Sequence, residues 1–411
     1  MDPENVPFAP NTGRLWTRRG WIAGSLAGLA MAGCSRPALE TKSGLAKDTI
    51  RILIWADYFA DIRAARGPDA LAVHSDIHDN VITAFEEQTG IKVEVRLFES
   101  NEELYSLLTA KEASYDVAMP SGFMVRRLQA EGWLRRIPAS AVPNSRHIDF
   151  RRFKLQFDPE MAFALPYVWG SIGIAFDTQV VDGIPRHWID LFDRSNKRDD
   201  ETIKAAMSDD GRFTLNAALI CLGYPPDSHI PSQLEAAAQL LRSQRSRIGS
   251  LESHSIGQKL AAGSINLALA TSGDVAFAMR RNKRIRLSLP AEGSLTFKDC
   301  FVLPISPAEK QASSPGRAPA WTERQLNAAR FLDFVLQPEM AALVTNFSCY
   351  ATTLNAARAF VDRNLLNGAA YFLNPAGKDF SIEQSDPNNV EFNRVWNEVR
   401  SLWPARPRKT V

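Results

Sequence analysis

Side chains that could bind a metal ion occur close together at one place in the chain. His74 and His78 stand four residues apart, with Asp76 between them and Asp79 directly after them. On a helix, residues four apart share a face, and imidazole and carboxylate groups are common ligands of transition metals. We interpret the segment instead as an exposed insertion. A metal or ferric-ion carrier remains an open alternative.

The chain contains none of the short motifs that carry common enzyme chemistry. The patterns HExxH, GxSxG and GxGxxG and the Walker phosphate loop are all absent. Gly170-Ser171-Ile172-Gly173 does not have the spacing of a nucleophile elbow. We therefore predict a protein that is not an enzyme and uses no cofactor and no metal. An exported hydrolase, which would need a nucleophile and a base, is the remaining enzymatic alternative.

The N-terminus has the features of an export signal. Arg18 and Arg19 precede an apolar stretch from Trp21 to Gly33, which at 13 residues is too short to span a bilayer as a helix. The paired arginines resemble a twin-arginine signal, and the small residues before Cys34 resemble a bacterial lipobox. We predict that residues 1–34 are this signal, that residues 35–47 are a tether, and that the protein acts in the periplasm, lipid-anchored through Cys34.

Length and charge limit which architectures and which partners are possible. About 377 residues follow the predicted signal, more than one hydrophobic core comfortably serves, so we expect two lobes. A net charge of +2 lacks the strong basic excess of a nucleic-acid-binding protein. No segment after the signal has the uninterrupted apolar run of about 18 residues that a transmembrane helix needs.

The remaining cysteines are predicted to be buried free thiols. Cys221, Cys300 and Cys349 each stand among apolar residues, where a thiol behaves as a small hydrophobic group. Because the periplasm is oxidising, a disulfide between Cys300 and Cys349 is the alternative.

Strand and helix patterns alternate along the rest of the chain. Ile50–Trp55 and Ile91–Phe98 have strand patterns, and apolar residues at helical spacing predict a helix over Asn80–Gln88. This alternation is typical of βαβ units and a parallel sheet. Further strands are predicted at 115–119, 164–176, 265–270, 285–289 and 296–303, helices at 103–112, 187–193, 212–222, 232–243, 254–262, 323–336, 338–347 and 390–402, and a surface loop at 306–320.

Several segments, taken in order, resemble one protein family. WADY at 55–58 is followed by FEEQTGIKVEV, ESNEELYSLL, YDVAMPSGF and ALPYVWGSIGIAFD. This order is similar to that of the spermidine/putrescine-binding proteins of bacterial ABC importers, and the likeness covers most of the chain after residue 48. It implies an α/β fold of two lobes, each a mostly parallel sheet flanked by helices, joined by crossover strands around a ligand. On this basis lobe 1 comprises 48–168 and 300–350, and lobe 2 comprises 169–299 and 351–411.

The resemblance also implies which residues bind the ligand. A polyamine needs carboxylates for its ammonium groups, and apolar or aromatic walls for its methylenes. Asp57 stands in the same motif, between Trp55 and Tyr58, but is not taken as a ligand position. The positions that match the family's ligand-binding residues are Trp55, Tyr58, Ser121, Phe123, Asp210, Phe297, Asp299 and Tyr350.

Some positions depart from the family's pattern. Thr271 stands where the family has a tryptophan, and Phe213 where it has a second amine-binding carboxylate. Ala56 replaces a hydroxyl residue, Phe123 replaces a tyrosine, and an extra stretch at 61–78 precedes the first predicted helix. We therefore expect a site that keeps its cationic anchor at Asp299 and loses polarity at the far end.

These inferences lead to one functional hypothesis. We predict a monomeric substrate-binding component of an ABC importer that captures a polyamine-like cation between hinged lobes and delivers it to an inner-membrane permease. A shorter diamine, or another small molecule with one cationic end, would suit the altered site. The nearest alternative keeps the fold and binds an opine, an amino acid or a sugar.

Overall fold

The computed structural model describes residues 48–55, 58, 81–192, 203–252, 255–312, 321–371, 378–386 and 388–403. The predictions about the export signal, the tether and the insertion concern residues outside these ranges and stay predictions. Cys34, His74, Asp76 and His78 belong to these segments, and Ala56, Asp57 and Asp79 also lie outside the described ranges.

Strands and helices alternate through most of the described chain. The strands are β1 (Thr49–Trp55), β2 (Lys92–Phe98), β3 (Val117–Ala118), β4 (Leu134–Arg135), β5 (Ala164–Asp177), β6 (Ala205–Ser208), β7 (Ile248–Glu252), β8 (Leu267–Thr271), β9 (Ile285–Ser288), β10 (Ser294–Pro304), β11 (Ala351–Thr352) and β12 (Asp379–Ser381). The α-helices are α1 (Val81–Thr89), α2 (Asn101–Thr109), α3 (Gly122–Ala130), α4 (Phe150–Phe153), α5 (Ile189–Phe192), α6 (Gly211–Cys221), α7 (Pro231–Ser243), α8 (Ile256–Ala261), α9 (Ser272–Arg281), α10 (Pro307–Ala312), α11 (Glu323–Val335), α12 (Pro338–Ser348), α13 (Arg363–Leu366) and α14 (Val390–Arg400).

The described strands form one mixed sheet in the order β2-β1-β3-β10-β5-β8-β6-β7. At one end β1 pairs in parallel with β2 and β3, and at the other end β6 pairs in parallel with β7 and β8. Between these two parallel blocks, the long strands β5 and β10 pair antiparallel with each other. The predicted α/β class is confirmed, whereas the residue boundaries proposed for two lobes stay a prediction.

Burial along the strands follows their place in the sheet. In the first block β1 has neighbours on both sides, and Ile50, Ile52 and Leu53 are fully buried. β2 lies at the edge, and most of its residues are partly or fully exposed. All residues of β5 are buried, as expected of a strand that has partners on both sides and is covered on both faces.

Several predicted elements need correction. The strand expected at 115–119 is only the two residues of β3, and the loop expected at 306–320 includes the helix α10. Cys221, Cys300 and Cys349 are free thiols, so the disulfide alternative is wrong. Cys300 and Cys349 are buried as predicted, whereas Cys221 is only partly buried. Within the described ranges, no helix is long and apolar enough to cross a membrane.

The buried residues of β1 should contribute most to stability in the first parallel block. Leu53 is fully buried, whereas Leu97 on the neighbouring strand β2 is 36% exposed. We expect Leu53→Ala to lower the free energy of unfolding by about 2–5 kcal/mol, because it leaves a cavity, and Leu97→Ala by less than about 1 kcal/mol. Urea denaturation of both variants measures the difference. Equal losses would contradict this account of the core.

Candidate functional site

A cavity of about 500 Å³ is lined by residues that follow the carboxyl ends of parallel strands. Trp55 ends β1, Ser121 follows β3, Asp210 follows β6, and Thr271 ends β8. In open α/β sheets, ligands bind at this edge, because the loops that leave the strands there surround a crevice. The topology therefore brings short segments from both parallel blocks to one site.

The structure brings all eight sequence-predicted ligand residues to this cavity. Thr271 and Phe213, which depart from the family's pattern, line it as well. Their shared location is a structural fact, and their role in binding stays a prediction. The eight residues are Trp55, Tyr58, Ser121, Phe123, Asp210, Phe297, Asp299 and Tyr350.

Asp299 is a buried carboxyl group held by two hydroxyl groups. The Tyr58 hydroxyl donates to Oδ2 at 2.5 Å, and the Ser121 hydroxyl donates to Oδ1 at 2.6 Å. Asn101 orients Ser121, since its Nδ2 donates to Ser121 Oγ at 3.1 Å and its Oδ1 accepts from the Ser121 backbone N–H at 3.0 Å. Asp299 is only 3% exposed, and no basic side chain of the described chain forms an ion pair with it.

Strand geometry explains why Asp299 faces the cavity. Phe297 and Asp299 stand two residues apart on β10 and share a face, while Lys298 points to the other face, where its Nζ lies 2.8 Å from Glu383 Oε2. The pairing of β10 with β5 shifts just after Asp299, leaving Tyr167 as an extra residue in β5. Such bulges re-aim side chains beside functional sites.

Burial sets the protonation of the two central carboxyl groups. It raises the pKa of Asp299 to about 7, although the hydrogen bonds from Ser121 and Tyr58 oppose this rise. It also raises the pKa of Asp210 to about 7, and the negative charge of Glu102 adds to that effect. Both groups therefore change charge near neutral pH, and a nearby cation would favour their ionised forms.

Aromatic rings form a continuous wall next to Asp299. The ring of Phe297 lies 5.9 Å from that of Phe213 and 6.1 Å from that of Tyr350, and Tyr350 meets Tyr58 edge-on at 5.0 Å, measured between ring centroids. Gly273 allows Tyr350 this position, because a Cβ at residue 273 would lie 2.5 Å from the Tyr350 ring. A wall of rings beside a carboxylate suits an organic cation.

Thr271 has a different role from the tryptophan that the family pattern places there. Its hydroxyl donates to Asp274 Oδ2 at 2.8 Å and accepts from the Asp274 backbone N–H at 3.1 Å, which caps α9. Tyr350 Oη lies 3.0 Å from the same oxygen. Because the single Thr271 proton goes to Asp274, Tyr350 is the donor in that contact. Thr271 thus lines the cavity without adding a ring to its wall, and it helps to fix the Tyr350 ring.

Phe123 lines the cavity and also contacts a cation of the protein. The Arg212 guanidinium lies 5.1 Å from the Phe123 ring centroid and 4.7 Å from that of Phe392. Arg212 Nη1 is paired with Asp227 Oδ1 at 2.8 Å. The contact joins α3, which follows the first parallel block, to α6, which follows the second.

Sequence reasoning missed two groups of lining residues. The start of α2 contributes acidic groups, and α14 contributes a stripe whose members recur at helical spacing. The first group could have been suspected from its charge density, and the second from its i, i+4, i+8 spacing. The missed residues are Glu99, Glu102, Glu103, Phe392, Asn393, Trp396, Asn397 and Arg400.

The lining is acidic on balance. Among the described residues, seven carboxyl groups and three arginines line the cavity. Arg400 binds Asp209 through two hydrogen bonds of 2.7 Å, and Arg127 pairs with Glu131 outside the lining at 2.9 Å. We expected the cavity to lose polarity away from Asp299, but the acidic residues of α2 also line it. Within the described ranges, no group of three or more His, Cys, Asp or Glu residues could hold a metal ion.

Comparison with known proteins identifies the family. Residues 80–363 match the model of the bacterial extracellular solute-binding proteins, and the chain belongs to this family. The spermidine/putrescine-binding periplasmic protein of Salmonella typhimurium is 25% identical over 362 residues, covering 87% of this chain and 90% of that protein. The putrescine-binding periplasmic protein PotF of Escherichia coli is 27% identical over 400 residues, covering 93% and 98%. The prediction of a solute-binding protein rather than an enzyme is confirmed.

Solved structures of similar proteins establish the fold. The spermidine/putrescine ABC transporter substrate-binding protein PotD of Streptococcus pneumoniae matches with a TM-score of 0.64 at 23% identity, covering 87% of this chain and 99% of that one. The Tp0655 (TpPotD) lipoprotein of Treponema pallidum matches with a TM-score of 0.66 at 22% identity, covering 86% and 100%. The predicted α/β fold of periplasmic solute-binding proteins is confirmed.

The buried charge of Asp299 should destabilise the ligand-free protein. Its pKa is about 7 in the folded state and about 3.9 in an unfolded chain, so its contribution to stability is lost as pH rises between these values. Asparagine stays neutral. We expect the Tm of Asp299→Asn, relative to wild type, to rise by at least about 2 °C between pH 5 and pH 8 in thermal unfolding without ligand.

The control for this measurement is Glu339→Gln, which removes an exposed negative charge outside the cavity. Its Tm difference from wild type should not change between the two pH values. A pH-independent Tm difference for Asp299→Asn would show that this carboxyl titrates normally, contrary to the site described above.

Proposed function

We propose that this protein captures a small organic cation of the polyamine class in the cavity and delivers it to an ABC permease. The observation that carries the proposal is Asp299: a buried carboxyl group, held by two hydroxyl groups and beside a wall of rings, without an ion-pair partner among the described residues. The names of the similar proteins from Salmonella typhimurium and Escherichia coli support the same ligand class.

The chemistry of the lining fits such a ligand better than a neutral or acidic one. An ammonium group loses its hydration when it enters a cavity and needs a carboxylate in exchange, whereas methylenes gain from apolar contact. The aromatic rings offer both apolar area and attraction to the cation. A ligand bearing a carboxylate would meet the excess of acidic side chains in the lining.

The proposed cycle uses no covalent chemistry. The ligand bridges residues that follow the two parallel blocks, such as Ser121 and Asp210, and so stabilises a closed arrangement of the predicted lobes. Closure requires only that the ligand bind this arrangement more tightly than an open one. An exported, lipid-anchored monomer in the periplasm would then present its cargo to the permease.

Asp299→Ala should remove the main anchor. We expect putrescine binding, measured by isothermal titration calorimetry at pH 8, to weaken by about 2–5 kcal/mol, because the ammonium would be buried without its carboxylate. Glu339→Gln has the same change in net charge outside the cavity and should bind like wild type. A wild type that binds putrescine while Asp299→Ala keeps its affinity would refute the assigned anchor.

The affinity for putrescine, whose amines stay almost fully protonated up to about pH 8, should depend on pH. Asp299 and Asp210 have pKa values of about 7 in the empty cavity, so below pH 7 a proton must leave before the cation binds. We expect the affinity for putrescine to fall by up to about tenfold per pH unit below 7 for each of these carboxyl groups, with proton release. Titrations at pH 5.5, 6.5 and 8 in two buffers measure both effects, and a constant affinity would contradict the mechanism.

A further inference from the structure

The C-terminal helix α14 contributes one face to the cavity. Phe392, Trp396 and Arg400 stand four residues apart and all line it, together with Asn393 and Asn397. Side chains at this spacing lie on one face of a helix. The stripe contributes the only indole of the described lining besides Trp55.

Trp396 packs directly on the start of α6. A Cβ placed on Gly211 would lie 2.5 Å from Cγ of Trp396 and 2.8 Å from Cδ1 and Cδ2, so the indole ring covers this glycine at van der Waals distance. Gly211 directly follows Asp210, the N-cap of α6. Its backbone does not need glycine for conformational reasons, since its φ is not positive. The close approach of the ring therefore accounts for the missing side chain.

Two contacts hold this helix against the loop that carries Asp210. Arg400 donates from Nε and Nη2 to the two carboxylate oxygens of Asp209, each at 2.7 Å. Asn393 Oδ1 accepts from Arg212 Nη2 at 3.3 Å. Paired hydrogen bonds from a guanidinium fix orientation as well as distance. The position of α14 relative to Asp210 is thus set by contacts of residues before and after Trp396 in the helix.

One carboxylate oxygen of Asp210 accepts a hydrogen bond from the helix, and the other has no donor among the described residues. Its Oδ1 accepts the Arg212 backbone N–H at 2.7 Å, and no donor in the described ranges bonds to Oδ2. The indole N–H of Trp396 likewise has no acceptor among the described residues. Asp210 and Trp396 both line the cavity, and the indole covers Gly211, the residue directly after Asp210. A carboxylate and an indole that border one cavity can together bind an ammonium group, because the ring adds cation–π attraction to the ion pair.

We propose that Trp396 is a specificity-determining residue, whose indole face forms the wall of the ammonium site at Asp210. This inference rests on the proposed function. It adds that Trp396 of α14 contacts the second ammonium group of the ligand. The anchor at Asp299 holds one ammonium group, and Asp210 with Trp396 holds the other. The separation of these two sites then selects ligands by chain length.

The test compares four variants with wild type by calorimetric titration with putrescine, cadaverine and spermidine. Trp396→Ala removes the ring, and Trp396→Phe keeps a smaller one. Gly211→Ala keeps the indole but displaces it, since the new Cβ occupies its place. Trp133→Ala removes a tryptophan of similar exposure outside the cavity and serves as the control.

We expect Trp396→Ala and Gly211→Ala each to weaken putrescine binding about three- to thirtyfold, Trp396→Phe to weaken it less, and Trp133→Ala to stay within twofold of wild type. The change in tryptophan fluorescence at saturating putrescine should be smaller in Trp396→Phe than in wild type, which a merely structural role would not produce. If Trp396→Ala fails to fold, the affinities of Trp396→Phe and Gly211→Ala for putrescine test the role of Trp396.

The failures of the two proposals are distinguishable. Wild-type binding with unchanged affinity in both Trp396→Phe and Gly211→Ala, and an undiminished fluorescence change, would overturn the role of Trp396 alone. A wild type that binds none of the three amines would overturn the proposed function and this inference with it.

Discussion

The structure of the site depends on a carboxyl group, Asp299, that is buried without a compensating cation in the part of the chain that the structure describes. Among the described residues, the hydroxyl groups of Tyr58 and Ser121 are its only side-chain hydrogen-bond partners, and they do not neutralise its charge. Burial consequently raises its pKa to about 7. A folded protein keeps such a group only at some cost in stability, and sites with perturbed carboxyl groups are often functional.

The surrounding elements serve to hold this carboxyl group where a ligand can reach it. Strand β10 carries Asp299 and Phe297 on one face, and the bulge in β5 sets their direction. Segments that follow both parallel blocks complete the cavity, so no single element contains the site. Arg212 contacts Phe123 across this junction. In the proposed cycle the cation takes the place that an internal arginine occupies in an ordinary buried ion pair, and its departure leaves the charge uncompensated again.

Much of this arrangement could be predicted from the sequence. Strands β1 and β10 have strong local patterns, and the order of the motifs resembles one family. The eight residues matched on that basis all line the cavity. The pattern could not show that Thr271 fixes Tyr350 through a hydrogen bond, because that depends on a contact between residues 79 positions apart.

Other features needed tertiary information for the same reason. The helix α14 was evident from its apolar spacing, but which surface its Trp396 covers depends on the packing of Gly211 beneath it. The two-residue strand β3 pairs with β1 and β10 over too short a length to give a reliable strand pattern. The loop expected at 306–320 was inferred from proline, serine and glycine content, and the six-residue helix α10 within it begins with Pro307 at a position where proline is tolerated.

A crystal structure of the protein grown with putrescine tests the central claim most directly. We predict electron density for the diamine in the cavity, with one ammonium nitrogen within about 3 Å of an Asp299 carboxylate oxygen and the methylenes against the rings of Phe297 and Tyr350. Density for the ligand at another place, or an Asp299 side chain turned away to pair with an arginine or lysine of the protein, would contradict it.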